Sequence, residues 1–121
     1  KNMLFEKEIV CEDVKVSLAL QMIREKACQG LRVEDLSEAT GWPRRTLERR
    51  FQKYLKSSPH YEILRTQIAA AKHLLQNSSL KLKDVAQQSG FKSVSHLCVA
   101  MKRICRKTPV QIRKETLVCQ K

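Results

Sequence analysis

The sequence of 121 residues contains few residues that interrupt regular structure, with only three glycines and three prolines. Long irregular loops are therefore not expected. Alanine, leucine, lysine, arginine, glutamate and glutamine dominate instead, and all of them favour helices. The hydrophobic share of 42% is enough for a globular core. We therefore predict an all-α protein made of one domain or two very small ones.

The chain also lacks a long hydrophobic run. No stretch approaches the roughly 18 apolar residues of a membrane-spanning helix, and the N-terminus has no signal-peptide pattern. We therefore expect no membrane partner. Because the sequence does not begin with methionine, we expect a fragment of a longer protein.

Acidic residues are scarce relative to basic ones, with 12 Asp and Glu against 24 Lys and Arg, which gives a formal net charge of +12. Such an excess favours a polyanionic partner. A basic amphipathic helix on a membrane surface is the alternative interpretation. It is less favoured because the charge is spread over several segments that each have an apolar face.

Catalytic and metal-binding patterns are missing as well. The cysteines include no C-x-x-C pair and are odd in number, which favours small buried thiols in a reducing cytoplasm. Spacing brings together no Ser-His-acid or Cys-His pair and no cluster of carboxylates. We therefore expect neither an enzyme nor a metal or cofactor site. The five cysteines are Cys11, Cys28, Cys98, Cys105 and Cys119.

The centre of the chain, residues 33–55, has the pattern of two short helices joined at Gly41. Gly41 suits the positive φ of a tight helix end, and Pro43 suits the first turn of the next helix. Three- and four-residue spacing defines the expected buried faces. These are Val33, Leu36 and Ala39 on the first helix and Leu47, Phe51 and Leu55 on the second. A helix-turn-helix has this pattern, and its second helix lies in the DNA major groove.

Three further helices are predicted around this centre. One runs from about residue 14 to 28 with Asp13 as its N-cap, one from about 60 to 76 after Ser58 and Pro59, and one from about Pro109. The first has an apolar stripe formed by Val16, Ala19, Leu20, Ile23 and Ala27. The predicted division of the chain is 1–13 linker or remnant of an upstream domain, 14–57 first helix-turn-helix subdomain, 58–77 linker helix, 78–115 second helix-turn-helix subdomain, and 116–121 tail.

Residues 82–91 repeat residues 33–42 at an offset of 49. Leu82, Asp84, Val85, Gly90 and Phe91 take the places of Val33, Asp35, Leu36, Gly41 and Trp42. After the turn the offset becomes 50, so that Leu97 and Met101 take the places of Leu47 and Phe51. Two copies joined by one helix favour a tandem DNA-binding protein over a solenoid, which needs three or more units.

The exposed side of the first recognition helix is rich in arginine. Arg45, Glu48 and Arg49 fall on one stripe and are the predicted base contacts. An arginine can donate two hydrogen bonds to guanine, which discriminates by roughly 1–3 kcal/mol, and Glu48 can accept from cytosine or orient an arginine. A merely solvated surface is the alternative for such a face. The expected phosphate contacts on this helix are Arg44, Thr46, Arg50 and Lys53.

The second recognition helix carries short and mostly apolar residues at the same positions. Ser95, Cys98 and Val99 correspond to Arg45, Glu48 and Arg49. None of them can clamp a guanine, although they can contact a thymine methyl or make a single hydrogen bond. We therefore expect the first copy to supply most of the sequence specificity. The second adds affinity through phosphate contacts and readout of DNA shape, with His96, Lys102 and Arg103 as candidates.

Taken together, the segments LRVEDLSEATGWPRRTLERRFQKYLKSSPHYEI, LKLKDVAQQSGF and KTPVQIRK resemble the DNA-binding domain of AraC/XylS-type bacterial transcription regulators. The resemblance covers about residues 14–114. RTLERRF followed by SPHYEI is similar, within that family, to the branch of the xylose-operon activator. The resemblance implies seven helices in two subdomains, with both recognition helices in successive major grooves of double-stranded DNA.

The resemblance also implies roles for individual residues and partners. Family base contacts carry over to Arg45, Glu48, Arg49, Val94, Ser95, Cys98 and Val99, and helix-start phosphate contacts to Thr46 and Ser93. It implies a cytoplasmic, nucleoid-associated transcription activator that contacts RNA polymerase and has an upstream ligand-sensing domain absent from this chain. The sequence departs from the family pattern at Val99, Met101, Cys105 and Arg106, where Arg, Phe, Phe and Gly are usual. These departures count against base readout by the second copy.

Two other functions stay open at this point. A non-specific architectural DNA-binding protein would bind specific and scrambled duplexes equally. A thiol-active regulator would use Cys98 and Cys105, which lie seven residues apart on one helix face. Core packing or a contact with DNA is the favoured role for both thiols.

Overall fold

A computed structural model describes residues 11–119, with side chains described for residues 14–115. The described part contains no strand and seven α-helices, which confirms the predicted fold class. The helices are α1 (Cys11–Lys26), α2 (Val33–Thr40), α3 (Arg44–Leu55), α4 (Pro59–Asn77), α5 (Leu82–Gln88), α6 (Val94–Cys105) and α7 (Pro109–Cys119). A short 3-10 segment, Ala27–Gln29, continues α1.

Local capping chemistry sets several helix ends. The Ser58 hydroxyl accepts a hydrogen bond from the Tyr61 N–H at 3.1 Å at the start of α4, as predicted. The Ser93 hydroxyl accepts from the His96 N–H at 3.1 Å at the start of α6. Each bond satisfies one of the backbone donors that a helix N-terminus leaves free.

Two clusters of buried apolar residues form the core, one for each helix-turn-helix copy. The first comprises Ala19, Ile23, Ala27, Leu31, Val33, Leu36, Leu47, Phe51 and Ile63. The second comprises Leu64, Ile68, Ala71, Leu75, Val85, Ala86, Phe91, Leu97, Ala100, Met101 and Ile112. Since α4 contributes to both clusters, it packs against both copies rather than merely spanning the gap between them.

Three local predictions are wrong. Asp13 lies inside α1 and is not its N-cap, because the helix already includes Cys11. Ala39 is exposed, and Thr40 is buried in its place. The Thr40 hydroxyl donates to the Leu36 carbonyl at 2.9 Å, so the burial leaves no polar atom unpaired. Pro43 is the N-cap of α3 and precedes its first turn.

The division of the chain into linker, subdomains and tail stays a prediction. Residues 1–10 lie outside the described part, whereas residues 11–13 are helical and α7 extends four residues past the predicted boundary at 115. Across the described helices, none combines the length and the apolar character that crossing a bilayer requires.

Candidate nucleic-acid interface

The turn between α2 and α3 is fixed by hydrogen bonds between its own residues. Gly41 has φ of +75° and ends α2, as its place in the sequence predicts. The Ser37 hydroxyl donates to the Trp42 carbonyl, and the Trp42 N–H donates to the Thr40 hydroxyl at 3.3 Å. These bonds hold α3 at a set angle to α2, so that α3 buries Leu47 and Phe51 and exposes its opposite side.

The three predicted base-contacting residues of α3 are all exposed. Arg45 and Arg49 form no hydrogen bond or ion pair with any other described side chain, so both guanidinium groups are available to a ligand. Glu48 instead accepts from Arg44, whose Nε lies 3.1 Å from its Oε2. Glu48 is thus paired with an arginine in the chain without DNA, and its role toward DNA stays a prediction. Arg44 Nη1 also lies 3.8 Å from Glu34 Oε2.

The other cations of α3 lie against aromatic rings. The Arg50 guanidinium carbon is 5.8 Å from the centroid of the Trp42 ring, and the Lys15 ammonium is 5.2 Å from the same centroid. The Lys53 ammonium lies 5.3 Å from the Tyr54 ring centroid. Cation–π contacts of this kind restrict long side chains that would otherwise be disordered in solvent. Arg50 is half-buried and Lys53 is exposed, so Lys53 has the freer approach to a phosphate.

The second recognition helix, α6, exposes the residues that correspond to those of α3. Ser95 and Val99 are exposed, Val99 to 68%. Cys98 and Val94 are half-buried, as is Thr46 on α3. The predicted phosphate contacts that are exposed on this helix and at its cap are Ser93, His96, Lys102 and Arg103.

His96 is held by the start of its own helix. Its ring stands edge-on to the buried Phe91 ring, with centroids 5.3 Å apart and planes at 88°, which is a favourable aromatic geometry. Its backbone N–H is the donor to the Ser93 cap. The imidazole therefore sits at a defined place beside the α6 N-terminus.

The two departures from the family pattern at Met101 and Cys105 are in the core. Met101 is fully buried in the second cluster, and Cys105 packs against that cluster while half-buried. Cys98 lies seven residues earlier and is also a free thiol. Core packing therefore accounts for Cys105, although its thiol, like that of Cys98, is half-buried rather than fully enclosed. Within residues 14–115 no three His, Cys, Asp or Glu side chains cluster as metal ligands.

A cleft between the two copies brings together basic residues that the sequence analysis did not single out. Its walls include Arg32, His60 and Lys92. Arg44, the first residue of α3, and His96, near the start of α6, border the same cleft. Glu34 lines the cleft as well, and both recognition helices therefore begin at one shared recess in which basic residues outnumber acidic ones. Arg32 precedes α2 and Lys92 precedes the Ser93 cap of α6. The repeat pattern does not predict that these two helix starts lie close together.

A sequence profile for a helix-turn-helix domain matches residues 36–115. The chain is 29% identical over 101 residues to the xylose operon regulatory protein of Escherichia coli strain K12, which covers 84% of this chain and 26% of that protein. The chain thus spans about a quarter of the length of this curated relative.

Two solved structures have the same fold over most of the chain. One is a transcriptional regulator from Chromobacterium violaceum described as an AraC-type DNA-binding domain-containing protein, with a TM-score of 0.76 and 26% identity, covering 84% of this chain and 91% of that one. The other is the DNA-binding domain of the global transcriptional factor AdpA in complex with a target DNA. Its TM-score is 0.77 at 25% identity, covering 83% of this chain and 90% of that one.

Proposed function

The chain belongs to the AraC-type family of helix-turn-helix domains, and we propose that it binds double-stranded DNA sequence-specifically through α3 and α6 in successive major grooves. Arg45 and Arg49 of α3 contact base edges, and Glu48 orients Arg44 toward the backbone. The exposed surface of α6 adds affinity and a weaker preference through apolar contact with thymine methyl groups.

The observation that carries this proposal is the contrast between equivalent positions of the two copies. Arg45 and Arg49 are exposed and have no partner among the described side chains, and their counterparts Ser95 and Val99 are exposed as well. Free guanidinium groups can make the bidentate hydrogen bonds that distinguish guanine from other bases. Serine and valine cannot, so the two helices contribute unequally to the choice of sequence.

Phosphate contacts surround these residues. On α3 we assign them to Arg44, Thr46 and Lys53, with Arg50 restrained by Trp42; on α6 to Ser93, His96, Lys102 and Arg103. Arg32 and Lys92, in the cleft at which both recognition helices begin, are further candidates, because exposed cations beside the starts of both helices can neutralise phosphates of a duplex that both helices contact. These contacts position the duplex and carry little sequence information.

The remaining parts of the proposal concern the longer protein. The xylose operon regulatory protein is nearly four times as long as the aligned segment, which supports a regulator with additional domains. We propose that an upstream ligand-sensing domain controls this DNA-binding part, and that the bound protein activates transcription by contacting RNA polymerase at the nucleoid.

A selection and competition experiment tests the proposal. Random duplexes would be enriched on the 121-residue chain, and the enriched sequence compared with its scrambled form over a range of salt concentrations. The expected result is preference for the enriched duplex at every salt concentration, with log affinity falling by roughly 0.9 per phosphate contacted as log salt rises. Equal affinity for both duplexes at all salt concentrations would contradict the proposal and favour an architectural DNA-binding protein.

A further inference from the structure

A buried glutamine lies where the two core clusters meet. On α4, Ile63 belongs to the first cluster, and Leu64 and Ile68 belong to the second. Gln67 lies between them and is only 8% exposed. Its Nε2 donates to the Ala27 carbonyl at 2.9 Å, a buried bond that spans 40 residues of sequence. A buried amide is costly to leave unpaired, so this bond fastens α4 to the end of α1.

The acceptor of this bond is itself held in place. Ala27 is fully buried, and its carbonyl also accepts the Gly30 N–H at 3.3 Å. Gln67 therefore binds a backbone atom that belongs to the first helix-turn-helix copy and that has little freedom to move. Loss of the Gln67 donor would leave that carbonyl with one partner rather than none.

Gly90 of the second copy lies in close contact with both atoms of this hydrogen bond. Gly90 has φ of +92°, and a Cβ placed there would lie 2.9 Å from Gln67 Nε2, 3.0 Å from the Ala27 carbonyl oxygen and 3.0 Å from Cys28 Cα. Two of these three atoms are backbone and cannot rotate away. The turn of the second copy thus fits against the first copy only because residue 90 has no side chain.

The equivalent glycine of the first copy has no such contact. Gly41 has φ of +75°, and a Cβ there would meet nothing within 4 Å. The repeat therefore contains two turn glycines with the same backbone requirement, and only one of them has a close approach. Gly41 is a matched control for Gly90.

We propose that Gln67, Gly90 and the Ala27 carbonyl form an interlock that fixes the two helix-turn-helix copies in one orientation and so sets the spacing between DNA half-sites that the protein accepts. Gln67 and Gly90 border the cleft at which both recognition helices begin. A change in their packing therefore changes the angle between those helices. The consequence for spacing rests on the proposed DNA binding, whereas the interlock does not.

Residual dipolar couplings on the DNA-free chain test the interlock. Couplings from α1–α3 and from α5–α7 would be fitted separately in the wild type, Gly90→Ala, Gln67→Met and the control Gly41→Ala. In the wild type and in Gly41→Ala we expect one alignment tensor to fit both sets. In Gly90→Ala and Gln67→Met we expect two different tensors, because the copies have rotated or become mobile relative to each other.

Gly90→Ala and Gln67→Met perturb the interlock in different ways, so that one can be used if the other does not fold. Gln67→Met keeps an unbranched side chain of similar length and replaces the amide, with its donor, by an apolar thioether. It therefore tests the interlock even if Gly90→Ala does not fold. A single wild-type tensor in Gln67→Met, and in Gly90→Ala if it folds, would overturn the interlock. A second tensor in Gly41→Ala would overturn it too, since backbone strain in a turn would then suffice.

A spacing series tests the consequence for DNA. One inserted base pair between the half-sites shifts one of them by about 3.4 Å and rotates it by about 35°. We expect that insertion to weaken wild-type and Gly41→Ala binding about tenfold or more, and to weaken Gln67→Met binding less than about threefold, because a flexible connection tolerates altered geometry. A wild type that tolerates the insertion would overturn the spacing role. A wild type that enriches no duplex would refute the proposed function and leave the dipolar-coupling result standing.

Discussion

Replacing Arg49 by alanine isolates base readout from every other contribution. The Arg49 side chain is exposed and makes no hydrogen bond or ion pair with the described side chains. Its removal therefore leaves the core and the helix caps unchanged, and we expect the free energy of unfolding to change by no more than about 0.5 kcal/mol. Any larger effect of Arg49→Ala on DNA binding then comes from the interface itself.

The expected size follows from the contact that Arg49 is proposed to make. A bidentate arginine–guanine contact discriminates by roughly 1–3 kcal/mol, which corresponds to a loss of about 5-fold to about 140-fold in affinity for the preferred duplex. A duplex with the contacted base pair already replaced has no such contact to lose. We expect its affinity for Arg49→Ala to be close to its affinity for the wild type.

Lys53→Ala is the matched control on the same helix. Lys53 is exposed like Arg49 but lies one turn farther along α3, and it is proposed to contact phosphate. Its loss should weaken the preferred and the replaced duplex alike and reduce the salt slope by about 1. Competition titrations at several salt concentrations measure both quantities. If Arg49→Ala weakens both duplexes equally, as expected for Lys53→Ala, its assignment to a base is refuted.

The other predictions concern stability. Ser93→Ala removes the N-cap of α6 and should cost about 1 kcal/mol, measured by urea unfolding; no loss would show that the 3.1 Å bond is not formed in solution. Arg106 ends α6 with φ of +63°, so Arg106→Gly should stabilise the fold by up to about 1 kcal/mol, and a destabilised variant would indicate a role for its side chain. Burial raises the pKa of the Cys28 thiol. The Cys28 thiol of the folded state therefore stays protonated to a higher pH than the thiol of the unfolded chain. Its contribution to the free energy of unfolding is fully present below the ordinary thiol pKa of about 8.5 and is lost as pH rises through the raised pKa of the folded state. Cys28→Ala should flatten that alkaline loss in thermal melts, and an unchanged profile would contradict the assignment.

Sequence alone predicted those features whose causes are local. Four-residue spacing identified Leu47 and Phe51 as buried, and the repeat transferred the same role to Leu97 and Met101, all of which are fully buried. Ser58 was predicted as a cap because a hydroxyl followed by proline at the first helical position satisfies free backbone donors within four residues. Such causes act within one or two helical turns and are visible in any single sequence.

Two kinds of feature were not predicted, namely buried hydroxyl groups and contacts between distant segments. Thr40 and Ser89 occupy the same place in the two copies and are both buried, although hydroxyl residues are usually exposed. For Thr40 the reason is the bond to the Leu36 carbonyl, which allows a polar group inside the core. The cations of the cleft were missed for a different reason. Arg32 and Lys92 are 60 residues apart, and only the packing of one copy against the other brings them together.

Comparing equivalent positions of the two helix-turn-helix copies distinguishes residues that the fold requires from residues that differ on the exposed surface. Both copies end their second helix in a basic residue of positive φ, Lys56 and Arg106, although such a conformation is costly for any residue but glycine. The buried positions of both copies are likewise similar, apolar for the most part with one hydroxyl residue in each, Thr40 and Ser89. The exposed stripes differ completely, with Arg49 in one copy and Val99 in the other. Because the same backbone supports both stripes, packing does not account for the difference. Under the proposed function the difference has a physical reason, because the thymine methyl of the major groove is an apolar partner for Val99, whereas Arg49 suits the hydrogen-bonding edge of guanine.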